Sequence, residues 1–107
     1  MSESFPPFLK WSAYTSKDAE HPDVIDIEVL ETELFETEYS TNLRVKINGE
    51  ETILPIHSFE SRNKQLLQLF LKAKKEWKIQ VGRKFKLHTW LGISKNKFPI
   101  RRYELIF

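Results

Sequence analysis

Apolar and acidic residues alternate at the start of the stretch from Val24 to Tyr39, with Ile25, Ile27 and Val29 on one parity and Asp26 and Glu28 on the other. A period of two is that of a strand with one buried face. At Val29–Leu30 the phase slips, and Leu30 and Leu34 continue on even positions. A long strand that is bulged and strongly bent midway is expected there. Thr41 to Ile47 alternates again, with Leu43, Val45 and Ile47 inward and Arg44 and Lys46 outward. Asn48-Gly49 follows, two residues that both tolerate positive φ and so favour a tight hairpin turn. Its partner strand is Thr52 to His57, carrying Ile53, Leu54 and Ile56.

Across residues 59–78 the period lengthens. Leu66, Phe70, Ala73 and Trp77 recur at four, three and four, beside Leu67 and Leu71. That spacing predicts a helix with one apolar stripe, Ser58 or Ser61 as its N-cap, and Trp77 closing the stripe in the core. Lys72, Lys74, Lys75 and Lys78 load its last turns, where the helix dipole favours cations. Gly82 releases the chain into a strand that sets Phe85, Leu87 and Leu91 on one face and Lys84, Lys86, His88 and Trp90 on the other. A turn-rich link, Ile93 to Pro99, leads to a last β-rich run, Ile100 to Phe107, on which Arg101 and Tyr103 share a face. Residues 1–22, with Pro6-Pro7 and the polar cluster 16–22, read as an arm whose aromatics Phe5, Phe8 and Trp11 tuck onto the domain.

Three strands, a helix and two strands make a mainly β domain with one helix over residues 23–107. A five-stranded OB-like Greek-key barrel has this order, its helix lying between strands three and four. A plain sheet covered by one helix has it too, and the phase slip in the first strand favours the barrel.

The chain's 107 residues suffice for one domain with its own core. No cysteine is present, which excludes disulfides and thiolate metal sites and suits a cytoplasmic, intracellular setting. The start lacks a signal-peptide layout, and no apolar run is long enough to span a membrane. Net charge is +2, but residues 1–60 hold four Lys/Arg against thirteen Asp/Glu, and residues 61–107 hold thirteen against two. Such polarity suggests a basic surface for a negatively charged partner, unless the two halves interleave and neutralise each other.

Cations neutralise phosphate and flat rings stack on bases, so a hairpin alternating the two suits single-stranded nucleic acid. The expected contacts are Arg83, Lys84, Lys86, His88 and Trp90, then Lys95 and Lys97 in the link, then Arg101, Arg102 and Tyr103. Nothing assembles a catalytic set. His57 and His88 have no orienting acid fixed beside them, no histidine–carboxylate cluster has metal-ligand spacing, and there is no glycine-rich phosphate loop. The expectation is therefore a non-enzyme without metal or cofactor, a nuclease being the weaker reading. The acidic first strand offers a second class of function, a protein-interaction module, through a homodimer or a basic partner docked on the N-terminal half.

Glu28 to His57, Trp77 to Lys86 and Pro99 to Phe107 also carry a family likeness. The layout resembles small OB-fold single-strand nucleic-acid-binding domains of the SSB and replication protein A kind, in a compact single-domain form of archaeal or viral type. The resemblance covers about two thirds of the chain and is one of architecture more than of residues. It implies largely sequence-independent binding of single-stranded DNA, or of RNA, on strands two and three and the loops joining strands one–two and four–five. On this chain those places hold Arg44, Lys46 and His57, Tyr39, and the 92–99 loop. The paired aromatics usual on strands two and three are absent here, and Trp90 and Tyr103 are the alternative stacking rings.

Overall fold

A computed structural model describes residues 6–93 and 95–107. The expected tuck of Phe5 lies outside them. Seven strands and helices follow a short 3₁₀ turn at Trp11–Ala13: β1 (Asp23–Val29), β2 (Phe35–Glu36), β3 (Ser40–Ile47), β4 (Glu50–Ser58), α1 (Gln65–Lys75), β5 (Lys84–Ile93) and β6 (Pro99–Ile106). Among the described residues the protein is mainly β, with one α-helix and a single antiparallel sheet of six strands.

The phase slip at Val29–Leu30 breaks the first strand in two. β1 pairs with β3 in the register Ile27 to Ile47, and β2 returns to the same strand in the register Phe35 to Asn42. The residues between loop out, and the amides of Leu30 and Glu31 both lie against the carbonyl of Arg44. Hence there are six strands rather than five. The Asn48-Gly49 turn forms as expected, at φ 52° and 83°, between β3 and β4.

Pairing runs β4-β3-β1-β5-β6, with β2 continuing β1. Among the described residues β4 and β6 do not pair, so the sheet is not closed into a barrel. The arm fills that seam instead. Leu9 donates to the carbonyl of Ile53 and Ile53 to that of Pro7, a parallel bridge along β4 (2.9 Å each). Farther on, the indole of Trp11 donates to the carbonyl of Pro55 and Leu91 of β5 donates to that of Ser16. The segment before α1 meets the other side of the gap, where Asn63 Nδ2 donates to the carbonyl of Arg101 and the amide of Tyr103 donates to Gln65 Oε1. Polar backbone at an unpaired strand edge is thereby satisfied.

The core is built from Ile25, Ile27 and Val29 of β1, Leu43 and Val45 of β3, Leu54 and Ile56 of β4, Phe85 and Leu87 of β5, and Leu66, Phe70 and Ala73 of α1. Ile53 is buried outside this cluster, at the strand edge where the arm lies. Trp11 is half-buried against the core, while Phe8 stays exposed.

Helix α1 is shorter than the expected 59–78. Its N-cap position is Lys64, without a side-chain cap, so neither Ser58 nor Ser61 serves. Asn63 Oδ1 accepts from the amide of Gln65, and Ser61 Oγ accepts from that of Asn63, a relay of short turns leading into the helix. Trp77 is not core. The helix stops at Lys75, and Trp77 is 80% exposed at φ 62°.

Candidate nucleic-acid interface

Strand β5 fixes the outward face by its own alternation. Phe85, Leu87 and Thr89 are buried, which turns Lys84, Lys86, His88 and Trp90 to the other side, as expected. Neighbouring strands set what stands beside each one. Glu28 and Asp26 of β1 lie directly opposite Lys84 and Lys86, and Lys84 Nζ is 3.9 Å from Glu28 Oε1. Lys46 of β3 is opposite both Glu28 and Glu51. On the β6 side His88 faces Glu104 and Trp90 faces Arg102.

Cross-strand neighbours of opposite sign attract over about 5 Å, so this part of the face is a ladder of alternating charge. The acidic and basic halves of the sequence interleave here and do not form separate poles. Two more acids, in the link after β1, form ion pairs outside this ladder, Glu31 with Arg44 of β3 and Glu33 with Lys74 of α1.

A groove of about 590 Å³ lies on this face. Lys46, Lys84 and Lys86 line it together with Asp26 and Glu28, and Phe107 and Ile106 supply an apolar wall. Phe107 stacks on Phe85 with ring centroids 4.9 Å apart. Lys78 and Arg83 sit over the same ring at 5.5 and 5.6 Å, a cation–π arrangement on its flank.

Toward the hairpin tip the acids give out. Half-buried Trp90 pairs across the strands with Arg102, whose side chain lies over Gly92. A Cβ at Gly92 would come within 3.3 Å of Arg102 Cγ. Beyond them Lys95, Asn96 and Lys97 are exposed, flanked by Ile93 (75% exposed) and Phe98 (68%).

Several expected contacts lie elsewhere. Tyr103 and Arg101 share a face, but it is the inner one, opposite Thr89 and Leu91. Tyr103 packs edge-on against Trp11 at 5.2 Å, and its hydroxyl is pushed up to about 12 chiefly by burial, against the opposing effect of Arg101. The guanidinium of Arg101 donates to the carbonyls of Trp11 (2.9 Å) and Tyr14 (2.8 Å) and to Thr89 Oγ1 (3.2 Å). It holds the arm and cannot also grip a phosphate. Trp90 and Tyr103 therefore do not form one stacking platform. Arg44 faces outward but is bound by Glu31 and Glu51. His57 is joined through Nε2 to the carbonyl of Ser61 and meets Phe59 edge-on. Tyr39 is exposed at the β2–β3 turn.

Two aromatic residues of this region stand where the sequence pattern does not place them. Phe107 ends the chain, where alternation gives little warning of a groove wall. Trp77 falls on the helical spacing of the apolar stripe, but the helix ends at Lys75 and the left-handed residue after it no longer follows that spacing. The structure also brings together ligand atoms of Asp18, Glu20 and His21 within 4.8 Å, which spacing had not suggested. All three are exposed, and the turn explains the closeness, because Asp18 accepts from the amide of Glu20 and pairs with His21. Among the described residues, no helix is long and apolar enough to cross a membrane. No protein-family model matches this chain, and no curated protein or solved structure is significantly similar to it.

Proposed function

We propose that the protein binds single-stranded nucleic acid, DNA or RNA, without catalysis, on the outward face of β5 and β6. The observation that carries this reading is the Trp90–Arg102 pair at the end of the column Lys84, Lys86, His88. A ring for stacking and a guanidinium for phosphate stand side by side there, with Lys95 and Lys97 on the adjoining loop. The strand order β4-β3-β1-β5-β6, with the helix between β4 and β5, supports kinship with a Greek-key OB arrangement left open at its closing pair.

The charge ladder refines the site. Lys84 and Lys86 face carboxylates, so their charge is already partly compensated, and the phosphate contacts that matter most belong to Arg102, Lys95 and Lys97. Oligo(dT) and oligo(U) should quench indole emission at low salt, with affinity falling steeply as salt rises. Trp90→Ala should weaken binding about tenfold and leave the salt slope unchanged, because base stacking contributes roughly 1–3 kcal/mol. Arg102→Ala should flatten the slope by about one, and Lys84→Ala by less. Unchanged emission and no shift in electrophoretic mobility with either oligonucleotide would refute the proposal.

A second reading rests on the tip itself. Exposed Ile93 and Phe98 at the end of a hairpin suit a protein partner, in which case the domain is an interaction module on the same scaffold. Ile93→Ser would then abolish partner capture while oligonucleotides remain without effect.

A further inference from the structure

Helix α1 ends in a Schellman turn whose central position is occupied by the wrong kind of residue. Lys78 donates to the carbonyl of Ala73 (2.9 Å) and Trp77 to that of Lys74 (3.1 Å), the two bonds that define the motif. The left-handed residue between them is ordinarily glycine, because a side chain there meets its own backbone. Here it is an indole at φ 62°, 80% exposed. Gln80 Nε2 donates to the carbonyl of Trp77 (2.8 Å) and buried Ile79 anchors the far side of the turn, so the indole is held outward. Backbone strain kept at one exposed aromatic points toward binding, since packing gains nothing from it.

The surroundings identify the ligand chemistry. Residues 71–86 carry Lys72, Lys74, Lys75, Lys78, Arg83, Lys84 and Lys86 against Glu76 alone. Ion pairs engage Lys74, Lys78 and Lys84, while Lys72 and Lys75 form none among the described residues and Lys86 has only Asp26 opposite it across the strands, beyond ion-pair distance. The turn is also continuous with the groove, for Lys78 and Arg83 both lie over the ring of Phe107, which walls it. Resting on the function proposed above, we infer that Trp77 is a second stacking ring for the nucleic acid. A strand lying in the groove passes the Phe107 edge beside Lys78 and Arg83 and places a base on Trp77.

Length of the oligonucleotide separates this inference from the reading on which it rests. With oligo(dT) of about 16 nucleotides, Trp77→Gly should weaken binding about tenfold, and with about 4 nucleotides by less than about twofold. Trp90→Ala should weaken both. Trp77→Phe, which keeps a ring, should recover most of the loss, and Trp77→Gly should raise the melting temperature, which rules out misfolding as the cause. Equal binding by Trp77→Gly and the unaltered protein at both lengths would overturn the second ring and leave the primary site standing. Equal weakening at both lengths would overturn it too, by making Trp77 the main contact. Binding to phosphatidylserine vesicles that Trp77→Gly abolishes, with oligonucleotide affinity intact, would assign the turn to lipid and overturn the inference. If the unaltered protein binds neither length, the function itself fails.

Discussion

At Trp77 the backbone occupies a region that glycine enters at no steric cost and other residues enter at about 1 kcal/mol or more. Trp77→Gly removes that penalty but adds chain entropy to the unfolded state, so the net gain is about 0.5 kcal/mol or somewhat above. Thermal denaturation should show a rise of a few degrees, on the scale of 4–8 °C per kcal/mol for a domain near this size. A fall would mean that the indole makes a stabilising contact. Tyr103 and Arg101 teach a different lesson at the same scale. In Ile100-Arg101-Arg102-Tyr103-Glu104-Leu105-Ile106 apolar residues stand on both parities, so alternation alone does not say which face is inward. The decision comes from the core, which takes Leu105 and Tyr103 opposite Leu87 and Thr89. One choice of parity then turns every side chain of the strand.

At the scale of elements, the β3–β4 hairpin and the two faces of β5 were legible because each rests on neighbouring residues, a two-residue turn and a clean alternation. The phase slip at Val29–Leu30 is legible as irregularity, but its size, a break into two strands, is set by where the chain returns to β3. The start of α1 was not legible. Serine at 58 and 61 satisfies the usual preference for a cap, but the chain spends those residues on the turn that carries Asn63 and Gln65 to the edge of β6. Gln65→Ala removes the acceptor of the Tyr103 amide and opens that edge to water. Hydrogen exchange should quicken at Tyr103 while the amides of β5 keep their protection, and global stability should fall by about 1 kcal/mol. Uniform quickening across the sheet would mean instead that Gln65 supports the whole fold.

Over the whole molecule, the division of charge along the sequence is broken up across the sheet once β1 is laid between β3 and β5, while the end of α1 and the turn after it stay basic. Strand order, which composition does not encode, decides that the acids stand among the bases. Barrel closure was unreadable for a related reason, because the arm that fills the seam is joined to it largely by backbone carbonyls and leaves no side-chain pattern. Titration of Tyr103 reports on that assembly. Its hydroxyl rises from the ordinary 10.0 to about 12 in the folded state through burial against the arm. The folded protein therefore holds this proton where the unfolded chain has lost it, and stability present below pH 10 declines as pH climbs toward about 12. The loss should approach about 2 kcal/mol after allowance for partial solvent screening. Tyr103→Phe should flatten that decline in urea titrations run on both proteins across the alkaline range. An identical decline in the two would place the alkaline sensitivity elsewhere.

The arm reaches the sheet through Pro7, Leu9, Trp11, Tyr14 and Ser16, while the strands proper begin only at Asp23. Nothing in those bonds specifies that the segment must come from the same molecule as the slot it occupies. Two copies trading their leading segments would satisfy all of them without inventing a single new contact, and crowding the protein at high concentration favours that reciprocal exchange.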